Sequence, residues 1–308
     1  MAPPIPSDIP SRIILTMIFI KKHINLKEGQ TLRIIPIGDV HYNTVECDRE
    51  KFHGLINQSK REIERGDIVY GIGLGDYNDS LSGSERAALV SAKGGFGLHD
   101  TTIRAIDLEA ARLASTFHRA SRGLPFLGLC EGHHFMKFGI ADGAYCQKLG
   151  AKPGMSTTEL LCLIKDCPFL GTLGVIDLTF PQGKRLRLVA SHGYGGARTA
   201  GARVVKRVRM AEVISPSCDT IFIMGHDDEL MVKGAQILDF DVNGNFIAHK
   251  VAFVGSGSFQ RAYHKGRATG DYVEQLLLPP AQLGVSIIEV NLEKTIKGRW
   301  HLSWHVSI

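Results

Sequence analysis

The sequence predicts an α/β fold, a four-layer α-β-β-α sandwich in which two mixed β-sheets pack face to face between outer helices. Up to residue 130, short apolar runs alternate with stretches of helical periodicity, and from residue 174 onward paired strand-like runs predominate. Five of the apolar runs end in Asp or His beside a glycine. Because α/β folds place ligands at the carboxyl ends of their strands, these ends are the predicted functional site.

The composition fits one globular domain with a large core. The chain has 308 residues, of which 44% are hydrophobic and 22% are charged. We expect residues 32–308 to form a single domain, with residues 1–31 as an N-terminal arm and hairpin strand packed on the core. A formal net charge of +5 slightly favours acidic substrates.

Cysteine usage and hydropathy indicate an intracellular, cytoplasmic protein. The six cysteines are scattered without a Cys-x-x-Cys pair, which predicts reduced thiols. The apolar run at residues 13–20 is far shorter than the roughly 20 residues that a membrane-spanning helix needs. We therefore predict a strand there and no membrane partner.

Local periodicity predicts the elements in chain order. Residues 13–20 and 32–37, separated by a Lys-Glu-Gly-Gln turn, predict a hairpin that leads into the first central strand. The further predicted elements are helices over residues 48–65, 102–122 and 203–212, a helical region that ends near residue 164, and strands over residues 67–74, 125–130, 174–180, 185–190, 219–224, 229–240, 246–254, 285–290 and 299–306.

The strand ends bear acids and imidazoles of the kinds that bind metals. Gly38-Asp39-Val40-His41 follows the first central strand, and the later strand ends bear Asp76, His133, His134, His192, His226 and Asp228. Any one of them alone could be a polar cap bonded to the backbone, but together they predict a shared site. Two divalent cations about 3.5–4 Å apart, which activate water and neutralise phosphate oxygens, need such a set with one bridging carboxylate. Asp76 is the candidate for that bridge.

The order of these motifs resembles that of the calcineurin-like metallophosphoesterase family, whose blocks read GDxH, GDxxD, GNH, HG and GHxH. Gly38-Asp39-Val40-His41 matches the first block, Gly75-Asp76-Tyr77-Asn78-Asp79 the second, and His192-Gly193 the fourth. The resemblance covers about residues 32–230. The sequence around residues 129–135 and 255–259 resembles the phage-type branch, which would place the protein in a phage-infected host.

Two positions depart from the family pattern. His133 stands where the family has its metal-binding Asn, and Asp228 stands at the second His of the last block. Both replacements are competent ligands. Whether His133 or His134 is the ligand stays open, and the choice of Asp228 over Asp227 depends on register.

The resemblance implies a role for each matched position. It assigns one metal to Asp39, His41, Asp76 and Asp228, and the other to Asp76, His133, His192 and His226. His134 takes the position of the family histidine that assists the leaving group. Independently of the resemblance, Asn78 and Asp79 are expected to orient neighbouring groups or to cap a helix. Because the first set is richer in oxygen and the second in nitrogen, we expect an asymmetric site with Mn²⁺ first, and Fe²⁺, Zn²⁺ or Mg²⁺ as alternatives.

The expected activity is metal-dependent hydrolysis of a phosphoester. A diester in a nucleic acid or nucleotide is favoured over a monoester, which makes the protein a phosphodiesterase or nuclease. This preference depends on the basic composition and the phage-like context. The alternatives are a non-catalytic scaffold or interaction protein that keeps the fold, and a phosphomonoesterase or protein phosphatase; the oligomeric state is left open.

A basic stretch follows the fourth motif. Arg198, Arg203, Lys206 and Arg207 could bind phosphates of a polyanion, and Val204, Val205 and Val208 could form the opposite, buried face of a helix. The alternative interpretation, a helix face that is merely solvated, has equal weight. No aromatic residues interleave these charges from residue 198 onward, which counts against base stacking there.

Overall fold

A computed structural model describes residues 18–92, 99–196, 199–240, 243–263, 274 and 279–308. These residues form two mixed, six-stranded sheets flanked by helices, which confirms the predicted α/β sandwich. None of the helices in these ranges combines the length and the apolar composition that crossing a bilayer requires.

Most elements begin and end within a few residues of their predicted bounds. The strands are β1 (Ile18–His23), β2 (Thr31–Ile37), β3 (Ile68–Gly73), β4 (Phe126–Cys130), β5 (Phe169–Gly171), β6 (Leu173–Thr179), β7 (Arg185–Ser191), β8 (Thr220–Met224), β9 (Leu230–Phe240), β10 (Phe246–Ser256), β11 (Ile287–Lys294) and β12 (Trp300–Ser307). The helices are α1 (Arg49–Glu64), α2 (Gly83–Ala92), α3 (Asp100–Ala120), α4 (Ala144–Leu149), α5 (Thr157–Lys165), α6 (Ala200–Val208) and α7 (Met210–Val213).

The strand order brings parallel strand ends to one end of the sandwich. The first sheet runs β12-β11-β2-β3-β4-β5, with β2 to β5 parallel. The second sheet runs β1-β6-β7-β8-β10-β9, with β7, β8 and β10 parallel. The loops that leave β2, β3, β4, β7 and β8 are those that bear the predicted motifs.

Three apolar clusters define the layers. Phe52 of α1 and Phe117 of α3 pack on the outer face of the first sheet, and the mainly aliphatic residues of a second cluster fill the space between the sheets. The third cluster joins Met210 of α7 to Phe222 and Phe253 on the outer face of the second sheet. These clusters supply the apolar burial that holds the four layers together.

The predicted hairpin between β1 and β2 was wrong. β1 pairs in parallel with β6, with Ile18 opposite Gly174 and His23 opposite Thr179, so β1 and β2 belong to different sheets. Buried Ile24 anchors the segment that crosses from one sheet to the other. Residues 13–17 of the predicted strand lie outside the described residues.

Helix α6 buries different side chains from those predicted. Val205 is 52% exposed, whereas Lys206 and Arg207 are buried. Their charges are paired below the helix, Lys206 with Asp227 and Arg207 Nη1 with Glu229 Oε2 at 2.9 Å. A basic face in solvent was therefore a wrong prediction for these two residues.

Candidate metal centre

The loops after the parallel strands meet across the two sheets. The backbone N–H groups of Val40 and His41 both donate to the carbonyl oxygen of Asp76 at 3.0 Å, which ties the loops after β2 and β3 together. The N–H of His226, after β8, donates to Asp39 Oδ2 at 2.8 Å. Residues far apart in the sequence thus surround one region at the end of the sandwich.

Three residues form an acidic group in this region. Ligand atoms of Asp39, His41 and Asp76 all lie within 4.8 Å of one another, and the three residues are buried. Asp76 Oδ2 is 3.9 Å from His41 Nε2 and 3.2 Å from His192 Nε2. Asp76 therefore lies between imidazoles that come from different sheets.

Three imidazoles form a second group. Ligand atoms of His133, His192 and His226 also lie within 4.8 Å of one another. The ring of His133 is 4.6 Å from that of His192 and 4.5 Å from that of His226, centroid to centroid. Burial and the neighbouring imidazoles lower the pKa of His226 to about 3 and also lower the pKa of His133. Both rings are therefore neutral at physiological pH, the form that binds a metal.

His134 lies in a different environment from His133. Its Nδ1 is 2.7 Å from Asp79 Oδ1, and that hydrogen bond raises the pKa of His134 and lowers the pKa of Asp79. Its backbone N–H donates to Asp76 Oδ1 at 2.8 Å. Its side chain keeps 29% exposure, so an imidazole that favours a proton faces the solvent side of the region.

The two aspartates after His226 point to different surroundings. Asp227 pairs with Lys206 and lies 3.6 Å from Arg207 Nη2, on the α6 side. Asp228 lies outside the groups of mutually close ligand atoms, although its charge and that of His41 interact. Burial raises the pKa of Asp228, and its Oδ1 is buried without a hydrogen-bond partner among the described residues.

Asn78 fixes the loop after β3 to helix α3. Its Nδ2 donates to the carbonyl oxygen of Leu113 at 3.1 Å. Asn43 holds the same loop from the other side, because its side chain exchanges two hydrogen bonds with the backbone of Asp79 at 2.6 and 2.7 Å. Asn43 was not predicted, since an Asn after a strand end has no distinctive pattern.

Arg86 of α2 is a second residue that sequence reasoning missed. Its Nη1 donates to the carbonyl oxygens of His133 at 2.8 Å and Phe135 at 3.1 Å, and its guanidinium lies 3.8 Å from the centroid of the Phe135 ring. Arg86 therefore holds the backbone on which both His133 and His134 are mounted. Its position in a weakly amphipathic helix gave no signal.

The predicted phosphate-binding cations are not a free basic surface. Arg198 lies outside the described residues. Arg203 Nη1 is 4.0 Å from Glu229 Oε1, and Lys206 and Arg207 are buried in the ion pairs described above. These charges hold the carboxylates of the loop after β8.

Backbone strain is concentrated at the predicted ligands. Five of them have left-handed φ angles of 43 to 67°, namely Asp39, His41, Asp76, His226 and Asp228. A non-glycine residue in this region costs roughly 1–3 kcal/mol, and such residues cluster at functional sites. The strain is tolerated because hydrogen bonds between the loops fix each of these turns.

Two glycines allow the loops to approach each other. A Cβ at Gly132 would lie 2.0 Å from Asp76 Oδ1, and one at Gly75, whose φ is +97°, would lie 2.5 Å from the Cα of Gly132. No side chain fits either gap. Gly75 and Gly132 are therefore required by the close packing around Asp76.

The electrostatics fit a site for cations. Burial raises the pKa of Asp39 to about 7. The charge of His192 lowers this pKa, and the carboxylates of Asp228 and Asp76 raise it further. Burial would lower the pKa of His192, but the carboxylates of Asp76, 3.2 Å from its Nε2, and of Asp39 raise it to about 9. Buried His41 Nδ1 also has no hydrogen-bond partner in the described parts of the chain. Crowded carboxylates, buried ligand atoms without a hydrogen bond, and a mixture of oxygen and nitrogen ligands suit two divalent cations.

Comparisons with known proteins find only distant structural similarity. No model of a known protein family matches the sequence, and no curated protein matches it. Among solved structures it is similar to Vps29 of Chaetomium thermophilum, at 12% identity and a TM-score of 0.32, over 89% of this chain and 96% of that one. It is also similar to 5′-nucleotidase from Candida albicans SC5314, at 9% identity and a TM-score of 0.35. That match covers 92% of this chain but only 52% of the Candida chain. The function has to be inferred from the side chains of the site.

Proposed function

We propose that this protein is a metal-dependent phosphoric ester hydrolase with two divalent ions at the ends of the parallel strands. The position of Asp76 Oδ2 between His41 and His192 is the observation that best supports the proposal. One ion would be held by Asp39, His41, Asp76 and Asp228, and the other by Asp76, His133, His192 and His226. When bound, such ions supply positive charge to phosphate oxygens and lower the pKa of water.

His134 is the proposed proton donor to the leaving oxygen. Asp79 engages Nδ1 and raises the pKa of the ring, so Nε2 is the atom we assign to the substrate. A positioned acid of this kind contributes a factor of about 10² to 10⁴ in rate. His133, which faces His192 and His226, is then the ligand of the pair.

Residues 32–308 are proposed to form one catalytic domain. The assigned residues span 39 to 228, and β11, which follows that range in the chain, pairs with β2, which directly precedes it. β1 adds an edge strand to the second sheet. The substrate proposed for this domain is a phosphodiester of a nucleotide or nucleic acid, supported by the net charge of +5, and Mn²⁺ is the proposed ion.

The test is hydrolysis by protein that has been stripped with chelator and then given Mn²⁺, Mg²⁺ or Zn²⁺. Bis(p-nitrophenyl) phosphate and p-nitrophenyl phosphate report diester and monoester cleavage with the same leaving group. We expect diester turnover only with added ion, and fastest with Mn²⁺. The exposed acid Asp142, replaced by Asn, is the control that should retain full activity. Silence with every ion from folded protein would contradict the proposal and favour a scaffold.

A further inference from the structure

A cleft adjoins the imidazole group. Its volume is about 400 Å³, and its wall includes His133 and His192 themselves. This volume lies in the range of about 300–1,000 Å³ that small-molecule sites occupy. A group attached to a phosphate at the metal centre could therefore enter the cleft.

The rest of the wall is mainly apolar. Leu173, Met210, Val213 and Met224 line it, and the two methionines are buried. Tyr194 lines the cleft with 54% of its surface exposed, a larger exposed fraction than most aromatic side chains have. Aromatic rings pack well on tyrosine faces and against methionine sulfur.

Hydrogen bonds fix the position of the Tyr194 backbone relative to the metal centre. Lys206 Nζ donates to the carbonyl oxygens of Tyr194 at 2.8 Å and Gly195 at 3.2 Å, while its ammonium is paired with Asp227. The ring of His226 bonds through Nε2 to the carbonyl oxygen of Gly195 at 3.0 Å. The carbonyl oxygen of Gly195 thus connects the cleft wall to His226, a proposed ligand, and buried Lys206 fixes the same stretch of backbone.

We propose that the cleft binds the nucleobase of a nucleotide substrate, stacked on Tyr194, while its phosphate lies at the metal centre. This inference rests on the proposed function and names its substrate class. A flat aromatic group matches the tyrosine face and the two sulfur atoms, and an alkyl chain would leave the tyrosine face unused. Exposed Arg209, also in the wall, adds a positive charge that suits the phosphate and can stack on a base.

The experiment measures binding of unreactive product-like ligands by calorimetry, with and without Mn²⁺. Adenosine 5′-monophosphate and methyl phosphate share the phosphate and differ in the base; adenosine supplies the base alone, and hexyl phosphate an alkyl chain. We expect adenosine 5′-monophosphate to bind at least about tenfold more tightly than methyl phosphate or hexyl phosphate. This margin corresponds to one stacked base.

Variants of the wall separate the cleft from the metal centre. Tyr194→Ala should remove most of the tenfold margin and leave methyl phosphate binding unchanged, whereas Tyr194→Phe should keep the margin because it keeps the ring face. Val213→Trp, which fills the cleft from an exposed position, should weaken only the nucleotide. Circular dichroism verifies that each variant is folded.

Each alternative result has a distinct meaning. Equal binding of adenosine 5′-monophosphate and methyl phosphate, or equal losses of both in Tyr194→Ala, would overturn the base-binding assignment. Hexyl phosphate as tight as the nucleotide would make the cleft an aliphatic site and would also overturn it. If Mn²⁺ strengthens neither phosphate, the proposed function fails, while Tyr194-dependent binding of adenosine would still support the cleft.

Discussion

Asp76 is the residue on which both halves of the candidate centre depend. It is 4% exposed, its Oδ1 accepts from the backbone of His134, and its Oδ2 faces His41 and His192. Burial alone would raise its pKa, but the two imidazoles keep that pKa well below the usual range. A carboxylate that stays ionised while buried is suited to hold cations.

Replacing Asp76 and replacing His134 should have separable effects. Asp76→Ala should abolish both metal binding and activity, because it removes the carboxylate that the two proposed ligand sets share. His134→Ala should reduce turnover by about 10² to 10⁴ and leave the metals bound, since its imidazole is assigned to the leaving group. Metal content by mass spectrometry and initial rates of diester hydrolysis measure the two quantities.

Loss of metal from the His134 variant would show that the roles of His133 and His134 are exchanged. His133→Ala is the matched variant, and it should lose metal as well as activity. Retention of both ions by Asp76→Ala would contradict its assignment as the bridge.

Asp79 should set the proton affinity of His134. Its carboxylate stabilises the protonated ring, so Asp79→Asn should lower the pKa of His134 in the metal-free protein. The descending limb of the activity profile, where the acid loses its proton, should then move to lower pH. Nuclear magnetic resonance titration of the His134 ring protons checks the direction, and Asp142→Asn is the control that should leave it unchanged. A pKa that rises or stays constant in Asp79→Asn would contradict this role.

At the level of elements, periodicity predicted whether most segments are helix or strand, although it missed α2 and β5, and it did not predict which strands pair. The predicted helix over residues 48–65 is α1, and Asp48 caps it by accepting from the N–H of Lys51. Local spacing contains that information. The partner of β1 was missed because a short apolar strand fits either sheet, and only long-range packing chooses between them.

Helix α6 shows the same limit through electrostatics. Its valines and basic residues have amphipathic spacing, which favours burial of the valines. The carboxylates of Asp227 and Glu229 lie beneath the helix and reverse that outcome for Lys206 and Arg207. Nothing local to the helix reveals acids that follow a strand about 20 residues later.

Lys206→Met should therefore destabilise the protein strongly. It leaves buried Asp227 with only the 3.6 Å contact to Arg207 Nη2, and breaking a buried pair in this way costs about 3–5 kcal/mol. Adding Asp227→Asn should recover part of the loss because the poorly compensated carboxylate charge is removed. Lys148→Met, an exposed lysine of α4, is the control and should change the free energy of unfolding by less than about 0.5 kcal/mol. Urea denaturation of the metal-free protein measures all three; equal effects of Lys206→Met and Lys148→Met would refute the buried pair.

At the scale of the whole molecule, the alternation of strands and helices predicted the fold class. The polar residues at certain strand ends predicted where the site lies. The sequence could predict that Asp39, His192 and His226 meet in space, because strand ends converge in such folds. It could not predict the left-handed backbone at Asp39 or the contacts of Arg86, because both arise only when loops from separate strands close together. The meeting of these residues in space is thus predictable from the sequence, whereas their backbone conformations and side-chain contacts are not.

The crowded charges of the centre should make the stability of the metal-free protein depend on pH. His192 has a folded pKa near 9, above its usual 6.5, so its contribution is complete below about pH 6.5 and is lost as pH rises toward 9. The raised pKa of Asp39, about 7, and the lowered pKa of His226, about 3, act in opposite directions below pH 7. The loss of stability above pH 7 therefore comes from His192 together with His134, whose pKa is also raised.

Divalent ions should remove the loss of stability that comes from His192. They replace the proton on its ring, and they bind more tightly as that proton dissociates. We expect the difference in Tm between protein with and without Mn²⁺ to widen from pH 6.5 to 8.5 by at least about 2–4 °C, the shift that 1 kcal/mol gives in a domain near this size. Scanning calorimetry at fixed ionic strength measures it. In His192→Gln the metal-free Tm should fall less over the same range, because only the contribution of His134 remains, which separates His192 from general charge repulsion. A gap that stays constant in the unmodified protein would show that His192 does not exchange its proton for a metal.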